Sequence, residues 1–124
     1  MELKELTRAE EEIMQELWTL NKAFVKDIIE RLPEPKPAYN TVSTIVRILE
    51  QKGFVGHDAF GKTHRYFPLV TKEEYTVYVT DKLREGYFSN SMTEMMSFFV
   101  KNEKIDLKEA DEILKIIEKM KNKT

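Results

Sequence analysis

Residues 39–55 read YNTVSTIVRILEQKGFV. At about 100° per residue, Val42, Ile45, Val46 and Leu49 fall on one side of a helix, and Asn40, Ser43, Thr44, Arg47 and Gln51 on the other. The spacing predicts a helix from Tyr39 to Lys52, with Gly53 in the left-handed position that stops it. A solvated face usually carries Lys and Glu. This one carries small hydrogen-bonding side chains, which suits an outer face that meets something.

The flanking segments fix the order of elements. Thr7 followed by Glu10 is a capping-box pattern and predicts a first helix through Ile13, Met14, Leu17, Trp18 and Leu20, ended by Asn21. A shorter helix is expected from Phe24 to Leu32, and Pro33, Pro35 and Pro37 then impose an extended connector. After Gly53, two segments rich in β-branched and aromatic residues, 54–60 and 63–70, surround Gly61-Lys62 and predict a β-hairpin. From residue 71 the pattern is helical only. Helices are expected to open at Thr71 (with Glu74), Ser91 (with Glu94) and Asp106 (with Glu109).

Six helices and one hairpin make a mainly α chain of 124 residues. Charged residues are 34% and hydrophobic ones 41%, a composition of folded, helix-rich chains. The absence of cysteine excludes disulfides, thiolate metal sites and cysteine nucleophiles. The longest apolar cluster, Met95 to Val100, falls far short of the roughly 18 residues of a membrane span. A cytoplasmic protein without membrane insertion is expected. No nucleophile–base–acid set, glycine-rich phosphate loop or metalloprotease motif occurs, so neither an enzyme nor a cofactor is expected. The Glu10-Glu11-Glu12 run is read as a complement to the helix dipole.

The net charge of −2 hides a pattern. Residues 1–35 carry −4, residues 36–66 carry +3 and residues 67–124 carry −1. Helix, helix, helix, hairpin, with the basic charge on the third helix and hairpin, is the order of a winged helix-turn-helix, whose third helix enters the DNA major groove. Asn40 can bond adenine at two points, Ser43 and Thr44 can meet bases or phosphates, and Arg47 can reach guanine or phosphate. Lys36, Lys52, Lys62 and Arg65 are expected at phosphates. A winged-helix module that binds protein rather than DNA is the alternative. A hairpin turn at Phe60-Gly61 would set His57 opposite His64 beside Asp58, a potential metal site, whereas a turn at Gly61-Lys62 would separate them.

The last 54 residues are too few to bury a core unaided. Their apolar stripes, among them Tyr75, Tyr78, Val79, Leu83, Met95, Met96, Phe99, Ile113, Leu114 and Ile117, predict a homodimer interface. The expected division is 1–70 for the winged helix and 71–124 for helical dimerisation.

The segments LTRAEEEIMQELW, AYNTVSTIVRILEQKGFV and HRYFPLV, with the helical tail, closely resemble the penicillinase-repressor family (BlaI/MecI type, with copper-responsive CopY relatives). The resemblance implies a dimeric repressor that binds a palindromic operator through Asn40, Thr41, Ser43, Thr44 and Arg47, with a wing over 55–67. In antibiotic-responsive members it also implies a membrane sensor-transducer with a protease domain, which triggers repressor cleavage in the C-terminal domain. Members cleaved after Asn have Asn-Phe before a Val, and the matching pair here is Phe98-Phe99 before Val100. The resemblance therefore carries over the position of the bond and not the residue that precedes it. The copper-responsive mode, which uses a cysteine-rich motif, is excluded.

Overall fold

The computed structural model describes residues 2–123. Its elements run α1 (Arg8–Leu20), β1 (Ala23–Phe24), α2 (Val25–Arg31), α3 (Tyr39–Gln51), β2 (Val55–Phe60), β3 (Thr63–Pro68), α4 (Lys72–Tyr87), α5 (Met92–Lys101) and α6 (Leu107–Asn122). Helix starts follow the local chemistry. The Thr7 hydroxyl accepts from Glu10 N while the Glu10 carboxylate accepts from Thr7 N, and Thr71 and Glu74 repeat the exchange. Ser91 and Asp106 accept from the N–H of Glu94 and Glu109. Each such cap satisfies donors that the first turn leaves without partners, about 1 kcal/mol apiece.

Asn21, at φ 67°, ends α1. Gly53, at φ 85°, ends α3. There the Gly53 N–H donates to Glu50 O and the Phe54 N–H to Leu49 O, the paired bonds of a Schellman stop. The inner face of α3 is Val42, Val46 and Leu49, all buried, with Ile45 packed at its edge. They meet Ile13, Met14 and Leu17 of α1 and Val25 and Ile28 of α2 in one core, closed by Phe54, Val55, Tyr66 and Val70. Burying each such side chain contributes about 1.5–3 kcal/mol.

The sheet contains a strand that the sequence did not announce. β1 pairs antiparallel with β3, giving the order β1-β3-β2. Two residues are too few to show alternation, so only the partner strand reveals it. The hairpin turns at Gly61-Lys62, with Phe60 opposite Thr63 and Gly61 at φ 62°. A glycine at the first central position suits a two-residue hairpin.

The chain forms two compact units, one ending at Val79 and the other beginning at Thr80. In the first, the opening turns of α4 join the core. Tyr75 is buried, its hydroxyl accepts from Leu6 N at 2.9 Å, and its ring meets Phe54 edge-on at 5.6 Å. The Trp18 indole N–H donates to Val70 O at 2.9 Å. Tyr75 was expected at a dimer interface. That expectation is corrected, because its surface is taken up inside its own chain.

In the second unit Met95 is likewise buried, while Leu83, Leu114, Ile117 and Met120 are exposed. The rings of Phe88, Phe98 and Phe99 cluster with centroids 5.4–6.4 Å apart. Among the described residues no helix is long and apolar enough to cross a membrane.

Glu10 does more than complement the dipole of α1. Its carboxylate is buried and accepts from Lys52 Nζ at 2.7 Å, tying the start of α1 to the end of α3. Burial raises its pKa, but the bonds from Lys52 and Thr7 outweigh burial and hold it below the ordinary 4.5. A carboxylate with a depressed folded value stabilises the fold above its unfolded value and loses that contribution as pH falls through the folded one. Glu10→Gln is therefore expected to lower stability by about 1–3 kcal/mol at pH 7. Denaturant titrations of both proteins should converge as pH drops below about 4.5.

Candidate nucleic-acid interface

The outer face of α3 presents Tyr39, Asn40, Thr41, Thr44 and Arg47 to solvent, with Ser43 half-buried among them. The i, i+4 spacing sets their mutual geometry. Arg47 Nη2 donates to Ser43 Oγ at 3.3 Å, and the Thr44 hydroxyl donates to Asn40 O at 2.8 Å. Thr44 thus keeps its methyl and its oxygen lone pairs for a partner, and the Arg47 fork is steadied one turn from its own backbone. Asn40, Ser43, Thr44 and Arg47 lie together, as the helical spacing predicted.

Beside this face the wing adds a groove of about 230 Å3, lined by Tyr39, Ser43, Arg47, Lys62, Thr63, His64 and Tyr66 among others. Tyr39, Ser43 and Arg47 are a single stripe at i, i+4 and i+8. Tyr39 and Thr63 were not singled out from the sequence. The stripe spacing could have found Tyr39, but Thr63 needs the folded wing.

The expected phosphate residues divide. Lys62 stands exposed at the hairpin turn. Lys36 is engaged within the fold. Its Nζ donates to the carbonyls of Ile29, Glu30 and Leu32 at 2.7–3.1 Å, capping the C-terminal turn of α2. Lys52 is held by Glu10. Arg65 lies on the opposite face of the wing from His64, 3.6 Å from Asp58 and with its guanidinium 4.8 Å above the Phe60 ring. Two of the four expected cations therefore hold the fold together, and Arg47 and Lys62 line the groove beside the outer face of α3.

For the histidines the hairpin takes the second of the two turns that the sequence allowed, Gly61-Lys62. His57 pairs with Tyr66 and His64 with Ala59, so the two are not opposite each other. Their rings stack in parallel at 4.0 Å, an arrangement that aims the nitrogens outward from the stack rather than at one ion. Among the described residues no group of three or more His, Asp or Glu could hold a metal.

Three helices, a short edge strand and a hairpin beside the third helix define a winged-helix protein. The chain belongs to the penicillinase repressor family, whose model matches residues 6–119. It is a family of transcriptional repressors. The chain is 21% identical to the penicillinase repressor of Bacillus licheniformis over 122 residues, covering 98% of this chain and 95% of that protein. It is 24% identical to the methicillin resistance regulatory protein MecI of Staphylococcus aureus over 116 residues, 93% of this chain and 94% of that one. The solution structure of the DNA binding domain of the repressor BlaI superposes with a TM-score of 0.52 at 23% identity. That match covers 60% of this chain and 92% of that domain, and it supports the fold.

Proposed function

We propose that this chain is a homodimeric repressor that binds a palindromic operator, each protomer reading one half-site. The carrying observation is the outer face of α3, where Asn40, Ser43, Thr44 and Arg47 stand together beside a wing tipped by Lys62. Small polar side chains let the helix backbone approach base edges, and their donors and acceptors match what the major groove offers. Half-sites about one helical turn apart would fit a two-fold dimer. Residues 1–70 would carry the DNA contacts and 71–124 the dimer interface, with the first turns of α4 docked on the winged helix. A cytoplasmic location goes with this reading.

Footprinting on the DNA upstream of its own gene tests the reading directly. Protection competed equally well by random duplex would favour a protein-binding module instead. Arg47→Ala is expected to weaken operator binding roughly 10–100-fold and leave the dimer intact, measured by gel-shift titration. Unchanged affinity would remove α3 as the reading face.

Relief by a membrane sensor-protease belongs to the same proposal. The Phe98–Phe99 bond lies in α5, and both rings rest against Phe88. Mass spectrometry of the repressor recovered from induced cells should then find a fragment ending at Phe98. An intact chain in derepressed cells would point to release without cleavage.

A further inference from the structure

The wing holds a pair of stacked imidazoles to which the contacts above give no role. The Gly61-Lys62 turn puts His57 opposite Tyr66 and His64 opposite Ala59, one pleat apart on the same face of the hairpin. Their ring centroids are 4.0 Å apart and their planes 8° from parallel. His57 Nδ1 lies 2.6 Å from Glu50 Oε2 of α3. A carboxylate only accepts, so the ring donates there and its tautomer is set. The Tyr66 ring stands steeply inclined to both, 5.7 Å from His57 and 6.1 Å from His64. His64 is the outer member and borders the groove with Arg47, Lys62, Thr63 and Tyr39.

We propose that His64 is a ligand for an operator backbone phosphate, binding in its charged form and positioned by the stacked His57 and Glu50, so that DNA binding takes up a proton. The inference rests on the DNA-binding reading above.

The groove combines the cations of Arg47 and Lys62 with the hydroxyls of Ser43, Thr63 and Tyr39, and none of the residues that line it is acidic. That is a donor set for phosphate oxygens. The groups facing the stack are Glu50, Arg47 and Tyr39 from α3, Tyr66 from β3, Lys62 from the turn and Lys26 from α2, which borders a second depression with His64. Asp58 and Arg65 pair on the other face of the hairpin. Burial first, and then the charge of Glu50, hold the Tyr66 phenol above its ordinary value, so it stays neutral where imidazoles titrate.

In the free protein a carboxylate stands beside His57 only, in the plane of its ring. Two charged rings face to face at this spacing repel, and Glu50 offsets one of them. A phosphate against a ring nitrogen of His64 supplies the second anion. Each ring then has its own counter-charge, Glu50 beside His57 and the phosphate beside His64. His64 thereby joins the backbone contacts that set the position of the wing, while His57 acts through it without touching DNA.

The test is operator affinity measured by fluorescence anisotropy between pH 6 and 8.5 at constant salt, for the wild type, His64→Gln and His57→Gln. With one proton taken up per protomer, wild-type affinity is expected to rise roughly tenfold or more as pH falls across this range. His64→Gln should flatten the profile, its deficit being largest at pH 6. His57→Gln should give a shallower slope while unfolding at the same denaturant midpoint as the wild type. Added operator should also move the His64 ring resonances toward their charged positions in NMR at fixed pH. Parallel profiles for the wild type and His64→Gln would overturn the proposal and leave the DNA-binding reading standing. A wild type that binds no upstream duplex at any pH would overturn that reading, and this inference with it.

Discussion

On the dimeric, operator-binding reading proposed above, a Leu114→Glu, Ile117→Glu variant is expected to be monomeric by light scattering at concentrations where the wild type dimerises, with operator affinity reduced roughly 100-fold or more. The reason lies in α6. Along Leu107–Asn122 no residue is buried within the chain, yet Leu107, Leu114, Ile116, Ile117 and Met120 are all exposed. A helix that leaves so much apolar surface in water needs a partner to cover it. Two carboxylates in that surface would have to be desolvated without counter-charges. Both side chains are exposed in the single chain, so its helical circular dichroism should persist. A variant that remains dimeric would move the interface to other exposed residues, such as Val79, Leu83 and Met92. The affinity loss follows from linkage, because a dimer presents its second reading helix at high effective concentration once the first has bound.

Phe54→Ala is expected to destabilise the winged-helix unit by about 3–5 kcal/mol, read from denaturant midpoints. The ring is fully buried and packs edge-on against Tyr75. Its backbone is equally committed, since its N–H closes the end of α3 and its carbonyl accepts from Leu69 N at 2.7 Å. Phe54 thus joins α3, the base of the wing and the start of α4. Domains of this size are stable by only about 5–15 kcal/mol, so the loss is a large share of the whole. Phe60→Ala, on the exposed wing, provides the comparison and should cost far less. If the two variants unfolded at similar denaturant concentrations, the core around Phe54 would have to collapse around the cavity with little strain.

The features legible in the chain were those written within a few residues. The pairs Thr7–Glu10, Thr71–Glu74, Ser91–Glu94 and Asp106–Glu109 stand three apart, so each helix start is a local exchange of hydrogen bonds. The same holds for the two faces of α3. Val42, Val46 and Leu49 face inward, and Asn40, Thr44 and Arg47 outward, because the helical period sorts them without help from the rest of the molecule.

What the residue pattern left open needed partners from far along the chain. Glu10 meets Lys52 across 42 positions, and Leu6 meets Tyr75 across 69. No local rule says that one lysine of the basic segment holds a buried carboxylate, that another caps α2, and that a third stays free to project from the wing. The register of the hairpin depended on which glycine-containing pair formed the turn, and a shift of that turn decides whether two histidines face each other or stack along one side. Composition and period gave the helices, the wing and the two faces of α3. Folding distributed the charges, because an ion pair or a strand partner is chosen by proximity in space, and proximity exists only once the core has closed.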